Sequence, residues 1–355
     1  MSAVLKVLIV DDSATTSRML TDSINATADM RVVGEARNGR QAIQMTHNLR
    51  PDVILMDLVM PEMDGLEATR EIMHATPTPI VVVSASLKSQ ETEIAFRAIS
   101  AGALTIQRKP AGPGNPAHPA EIGQLLNTLR TMAGVRVIHH WKRTEQRAHT
   151  APALPAAPAV ALPEIVAIVA STGGPAALSA IAQALPPDFP LPIVVVQHIA
   201  PDFVPSLAGW LATVSPLRVE LARASEAPRP GCLYLATGGE HLTLTQGHRF
   251  AVTGAANGSS PHVPSGDVLL ESVARSYGAR AIGVVLTGMG NDGARGLRAM
   301  YDAGAYTIAQ DEATSVVFGM PNQARLMGGV RRVLSLPEIP QALIRLSGIG
   351  VGQHG

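Results

Sequence analysis

Short runs of Val, Ile and Leu recur along this chain, and longer stretches with helical periodicity separate them. From residue 5 to about 132 the runs are LKVLIV (5–10), MRVVGEA (30–36), DVILMD (52–57), PIVVVSA (79–85) and LTIQRK (104–109), each followed by a helix candidate. Runs of this length and β-branched content read as strands buried on both faces, and strands that alternate with helices pair in parallel. The pattern predicts a five-stranded, doubly wound parallel sheet with helices on both faces. Alternation resumes at residue 164 with EIVAIVA, PIVVVQH, AIGVVLTGMGNDG and AYTIAQ, around an irregular middle containing CLYLATGGEHLTLT. This predicts a second α/β domain, mainly parallel and three-layered. Between the two lies an Ala/Pro tract, 148–163, whose composition suits an extended connector that builds no core. The expected organisation is a first domain over 1–130, a linker over 131–163 and a second domain over 164–348, with no internal repeat between the halves.

Composition narrows the function classes. A chain of 355 residues, 46% hydrophobic and 16% charged, is long and apolar enough for two cored domains and excludes disorder. A formal net charge of zero leaves no broad basic field for nucleic acid or anionic lipid. The apolar stretch 151–170 is interrupted by Pro152, Pro155, Pro158, Pro163 and Glu164, so it reads as linker and then strand, with no membrane insertion. The opening MSAVLKVLIVDDS is broken by Lys6 and runs into two aspartates, which makes it a strand and not a signal peptide. Cys232, the single cysteine, forms no internal disulfide and reads as a small buried hydrophobe without a role. A reducing, cytoplasmic setting is expected.

In the first domain, Asp11 and Asp12 end the first strand and Asp57 ends the third. Carboxyl ends of strands in a doubly wound sheet open into the ligand crevice, so these side chains converge. Three carboxylates suit Mg²⁺, and with the ion neutralising charge Asp57 becomes a nucleophile toward a phosphoryl donor. Ser84 after strand four and Lys109 after strand five are placed to bind phosphoryl oxygens. Lys109–Pro110 is a candidate cis peptide. Taken singly, each aspartate reads equally well as a helix cap. The motifs LIVDDS, MDLVMPEMDG and IQRKP resemble the receiver domain of two-component response regulators over about residues 1–130. The resemblance implies a flavodoxin-like fold, phosphorylation at Asp57 and Mg²⁺ held by Asp11, Asp12 and Asp57. Two departures, the Gly/Pro-rich AGPGNPAHP loop and the lead-in GALTIQRKP, bear on the output face and leave the chemistry intact.

The second domain opens with IVASTGGP, a strand, tight turn and helix. This is not the G-x-S-x-G elbow, because Ala170 and Gly173 do not fill that pattern. Ser171, His198 and Asp292 each follow a buried-looking run, so all three rise from one carboxyl edge of a parallel sheet. A serine hydroxyl needs a neutral imidazole to take its proton, and the imidazole needs a carboxylate to fix its tautomer. Gly173 and Gly174 are expected to let the backbone pass close to a substrate. The backbone N–H groups of Thr172 and Met289 are candidate oxyanion donors. Plainer readings exist for each alone: Ser171 as helix N-cap, Asp292 or Asn291 as cap of the helix GARGLRAMYDAG, His198 as an ordinary strand-end residue. Jointly the three favour a nucleophile, a base and an acid. His241 and His262 rank lower as alternative bases and are expected to line the substrate pocket.

A receiver joined to ASTGGP, QHI, HVPSGD, LTGMGNDG and VVFGMPNQA resembles the chemotaxis protein-glutamate methylesterase family, known as CheB. The resemblance implies hydrolysis of glutamate methyl esters on methyl-accepting chemotaxis receptors with release of methanol, and deamidation of receptor glutamines, with no cofactor in the esterase site. It makes Ser171 the nucleophile, His198 the base and Asp292 the orienting acid. It also implies a chemotaxis histidine kinase as phosphodonor, a monomer, and a receiver that hinders the esterase cleft until Asp57 is phosphorylated. Where the family commonly reads PSVD, this chain has Pro264, Ser265, Gly266 and Asp267, and Gly266 is expected to loosen that loop and alter receptor preference. Two rival readings are a phospho-switched receptor-binding protein without turnover and a receiver-linked transcription factor. Intact Ser171, His198 and Asp292 count against the first. The neutral charge and large second domain count against the second.

Overall fold

The computed structural model describes residues 4–84, 89–135, 162–254 and 262–348. The chain divides into two compact units, Met1–Pro152 and Ala153–Gly355.

In the first unit, strands β1 (Leu5–Val10), β2 (Met30–Ala36), β3 (Val53–Asp57), β4 (Ile80–Ser84) and β5 (Thr105–Arg108) form one parallel sheet in the order β2-β1-β3-β4-β5. Each lies inside the apolar run that predicted it. Helices α1 (Ala14–Asn25), α2 (Gly39–Leu49), α3 (Gly65–Ala75), α4 (Ser89–Ser100) and α5 (His118–Ala133) alternate with them. Ser13, Asn38 and Asp64 start α1, α2 and α3 by accepting the N–H groups of Thr16, Gln41 and Glu67, which satisfies donors the helix cannot. The strand order reverses beside β1, so the ends of β1 and β3 border the crevice of this flavodoxin-like fold. The expected boundary at residue 130 falls within α5, and the expected linker lies mostly outside the described residues.

One expectation fails here. Lys109–Pro110 is trans, and the cis bond among the described residues is Val263–Pro264. The Lys109 N–H bonds the Ser84 carbonyl at 2.9 Å, which carries the extended course of β5 on to Pro110.

The second unit contains β6 (Ile165–Ala170), β7 (Ile193–Gln197), β8 (Arg218–Leu221), β9 (Cys232–Leu235), β10 (Glu240–Leu244), β11 (Phe250–Gly254), β12 (Ala281–Val285), β13 (Tyr306–Gln310) and β14 (Arg332–Leu334). Seven of these form a parallel sheet, β14-β13-β12-β6-β7-β9-β8, while β10 and β11 pair as an antiparallel ribbon. Of its helices, α6 (Gly174–Ala184) packs against α7 (Val204–Val214) and α11 (Glu338–Leu346). The other group is α8 (Gly266–Tyr277), which packs on β6 and on α9 (Ala294–Asp302), and α10 (Met320–Leu326), which also packs on α9.

The stretch read as irregular is ordered. It supplies β8 and β9 to the sheet and the β10–β11 ribbon, and β8 escaped notice because its RVEL sequence is half-exposed at the sheet edge. Aromatic residues are 3% of the chain, so the core is built from aliphatic side chains. All residues of β6 and β12 are buried, and Cys232 sits in the same core beside Tyr234 and Phe250. Full burial of each such aliphatic side chain contributes about 1.5–3 kcal/mol, which makes β6 and β12 the rigid axis of the unit.

Candidate active site

The strand β6 lies between β7 and β12. Ala170, its last residue, pairs with Gln197, the last residue of β7, so Ser171 and His198 leave adjacent strands at the same level. The His198 N–H bonds the Ala170 carbonyl at 2.9 Å, and the Ser171 N–H bonds the Thr287 carbonyl at 3.1 Å. Gly288 passes so close that a Cβ there would stand 2.7 Å from the Cβ of Ser171. The lone hydroxyl, imidazole and carboxylate singled out in the sequence therefore share one sheet edge, at the point where the strand order turns.

His198 Nε2 lies 2.7 Å from Asp292 Oδ2. Asp292 is 5% exposed and accepts three further hydrogen bonds, from Ser265 Oγ (2.8 Å), the Gly266 N–H (2.6 Å) and the Asp267 N–H (3.0 Å). Burial alone would raise its pKa, but the bond to His198 and the amides at the start of α8 outweigh burial and hold it well below the usual carboxylate range. Because an ionised carboxylate only accepts, Nε2 carries the imidazole proton and Nδ1 is left with the basic lone pair. Nδ1 is buried and has no hydrogen-bond partner among the described residues.

The plainer readings do not describe these residues. The N-cap of α6 is Gly173, with no side-chain cap, so Ser171 caps nothing. The N-cap of α9 is Gly293, and Asp292 serves instead as the acceptor for the first turn of α8.

Thr172 and the glycines after it form the turn into α6. The Thr172 carbonyl accepts from Thr287 Oγ1 at 2.9 Å, and its N–H has no partner among the described residues. Met289, 36% exposed, follows Gly288 beside Ser171. Gly173 and Gly174 leave room for neighbouring side chains of the protein itself. Gly173 has φ +79°, and a Cβ there would meet Val316 at 2.7 Å; a Cβ at Gly174 would meet Gln197 Oε1 at 2.0 Å. The space they leave is filled by the protein's own side chains.

His262 stacks on His198, with ring centroids 4.4 Å apart and planes 14° from parallel, so it borders the site. Burial lowers its pKa, the neighbouring His198 lowers it further, and Asp292 opposes both. His241 is not a pocket residue: it is 4% exposed on β10, and its Nδ1 accepts the Ser265 N–H at 3.1 Å, which ties the ribbon to the start of α8.

Gly266 is likewise not a loosened loop position. It is the first residue of α8 and is packed so tightly on β6 that a Cβ would fall 2.3 Å from Val169 Cγ1. Gly266→Val is expected to push α8 away from Asp292, costing about 1–3 kcal/mol of stability through overpacking and about 10- to 100-fold in activity through misplacement. Adding Val169→Ala restores both. Thermal melts and methanol release on the single and double variants check this.

The residues that the sequence reading passed over are Ser265 and Gln197. Ser265 was recoverable as an N-cap ahead of the helical pattern DVLLESVARSY, but its bond to Asp292 crosses 27 positions. Gln197 sat inside the quoted QHI motif without a role.

In the first unit, Asp11, Asp12 and Asp57 each bring a carboxylate oxygen within 4.8 Å of the others. Lys109 Nζ lies 2.7 Å from Asp11 Oδ2 and 2.6 Å from Asp57 Oδ2. Ser13 N–H donates to Asp11 Oδ1 at 2.9 Å, and Leu58 N–H to Asp57 Oδ1 at 2.8 Å. Burial raises the Asp57 pKa against the pull of Lys109, and Asp11 adds to the rise. Burial would lower that of Lys109, but its bonds to Asp11 and Asp57 raise it, so it stays a cation. Two buried carboxylates with an exposed third, Asp12, fit a hard divalent cation that keeps part of its water shell. Ser84, at the end of β4, is buried beside this rim.

Comparison with known proteins adds an independent line. The family model for CheB methylesterase matches residues 166–343, and that for the response regulator receiver domain matches residues 7–115. A Myxococcus xanthus protein named protein-glutamate methylesterase/protein-glutamine glutaminase 4 is 43% identical over 96% of this chain and 96% of its own length. A counterpart from Anaeromyxobacter dehalogenans is 46% identical over 97% of each chain. The crystal structure of the Thermotoga maritima CheB methylesterase catalytic domain superimposes on 52% of this chain and 98% of its own, with 41% identity and a TM-score of 0.50. With matches to both family models and near-complete coverage by relatives above the 40% level, this chain belongs to the CheB family of methylesterases that carry a response regulator receiver.

Proposed function

We propose that this chain is a chemotaxis esterase, which hydrolyses methyl esters of glutamate side chains on chemoreceptors and deamidates receptor glutamines, and that Asp57 phosphorylation controls it. Ser171 Oγ attacks the ester carbonyl while His198 Nδ1 takes its proton, and Asp292 holds the Nε2–H and stabilises the imidazolium. The N–H groups of Thr172 and Met289 receive the developing oxyanion. The imidazolium then returns its proton to the leaving methoxide, releasing methanol, or to the leaving amine, releasing ammonia. Water, deprotonated by the same imidazole, hydrolyses the acyl-enzyme to glutamate and restores Ser171. No cofactor enters this sequence.

The observation that carries the reading is the 2.7 Å His198–Asp292 bond, formed at the strand end next to that of Ser171. A receptor-docking module without turnover has no use for a buried carboxylate orienting an imidazole, and the relatives are named as enzymes. The test is methanol release from methylated receptor membranes. Docking without release would overturn the proposal.

In the receiver, Asp57 accepts a phosphoryl group from a chemotaxis histidine kinase in the cytoplasm, and Ser84 and Lys109 bind its oxygens. Asp11, Asp12 and Asp57 would hold Mg²⁺, which neutralises charge on the phosphoryl group. The control we infer is that this phosphorylation raises the esterase activity of the second unit. Among the described residues, no helix is long and apolar enough to cross a membrane. Asp57→Asn is expected to leave basal methanol release within about twofold and to remove its stimulation by acetyl phosphate and Mg²⁺, because the acceptor carboxylate is gone while the second unit is untouched. Stimulation that survives the substitution would place the acceptor elsewhere.

A further inference from the structure

Gln197 is 5% exposed at the end of β7. Its Nε2 donates to the Ser171 carbonyl at 2.8 Å and to the His198 carbonyl at 3.0 Å. Its Oε1 is buried without a hydrogen-bond partner among the described residues. An amide turned the other way would aim that oxygen at two carbonyl oxygens, so the orientation is fixed by chemistry. One side chain thus fastens the backbone of both residues read above as nucleophile and base. The Gly174 N–H also bonds the Ser171 carbonyl, at 2.8 Å, and the missing side chain of Gly174 gives the Gln197 amide its place.

The consequence follows from the planarity of the peptide bond. The Ser171 carbonyl and the Thr172 N–H belong to one trans peptide unit and point in opposite directions. Drawing the carbonyl inward therefore turns the Thr172 N–H outward, and that N–H has no partner among the described residues. We infer that Gln197 is a positioning residue that aims the Thr172 N–H at the reacting oxygen and holds the nucleophile turn against the base. The inference rests on the esterase reading given above. Without the amide donor the Ser171 carbonyl keeps only the Gly174 N–H, so the 171–172 peptide is held less firmly, and the oxyanion loses alignment of its donor while the ground-state ester loses little.

The test compares full-length wild type with Gln197→Met, which keeps the shape and removes the donor. Methanol-release kinetics are read together with the ³¹P resonance of the Ser171 adduct formed by diisopropyl fluorophosphate. The expected result is a kcat lower by about 10- to 100-fold, KM within about twofold, and a displaced ³¹P resonance. Unchanged kcat and resonance overturn the inference. So does a lower kcat with an unchanged resonance, since that is the mark of a structural role. If Gln197→Met fails to fold, the wild-type chain decides: the Thr172 amide proton must move downfield on adduct formation, and a proton that does not move overturns the inference. Wild type that neither releases methanol nor is labelled at Ser171 sinks the esterase reading instead, so the two failures are distinguishable.

Discussion

Ser171→Ala is expected to lower methanol release from methylated receptor membranes by about 10⁴-fold or more, leaving only what the oxyanion donors and substrate binding supply. The structure makes the prediction clean. The Ser171 hydroxyl takes part in no hydrogen bond among the described residues, and α6 has Gly173 as its N-cap with no side-chain cap. Removing one oxygen therefore costs little stability, and the melting temperature should match wild type. Phosphorylation of Asp57 belongs to the other unit and should proceed unchanged. Release within tenfold of wild type would place the nucleophile elsewhere.

Asp292 combines two duties, and its substitutions separate them. Asp292→Ala leaves four donors without an acceptor: the buried Ser265 Oγ and Gly266 N–H, and the half-buried His198 Nε2 and Asp267 N–H. Breaking a buried, hydrogen-bonded charge in this way costs about 3–5 kcal/mol, so this variant loses stability and activity together. Asp292→Asn keeps the shape. Its amide oxygen serves Ser265 and Asp267, while its NH₂ replaces the oxygen that accepted from both His198 Nε2 and the Gly266 N–H; the Gly266 N–H loses its acceptor, and the imidazole proton is driven to Nδ1, the nitrogen that Ser171 requires unprotonated. A fall in kcat of about 10⁴-fold is expected.

The pH dependence follows from the sign of the shift. The folded-state pKa of Asp292 lies below its unfolded value, so its contribution to stability is complete above the unfolded pKa, about 3.9, and is lost as pH falls through the lower folded one. Urea unfolding between pH 7 and pH 2 should show a steeper acid decline in wild type than in Asp292→Asn. Parallel acid limbs would mean that the carboxylate is not held as described.

Much of this was legible in the sequence. Ser171, His198 and Asp292 stood out because each follows a run of apolar residues, and such runs become neighbouring strands. The donors around Asp292 did not stand out, because two of them are backbone N–H groups, which no letter encodes. The sense of the His198 ring is also absent from the sequence, being set by which nitrogen meets Asp292. The packing role of the glycines was hidden for a related reason. A sequence shows that a Cβ is missing at Gly173, Gly174 and Gly266, but what fills each space is Val316, Gln197 or Val169. Short, half-exposed edge strands such as β8 and β14 carry too little apolar pattern to announce themselves.

The rung joining Ala170 to Gln197 has an implication for how this enzyme wears out. A slip by one step in that ladder would carry the imidazole about 3.3 Å along the strand and leave the hydroxyl facing nothing. Alignment of the reacting groups is thus inherited from interstrand pairing in the middle of the sheet. Heating should extinguish turnover and the sheet's circular dichroism in a single step, with no range of temperature in which the fold survives but its chemistry fades.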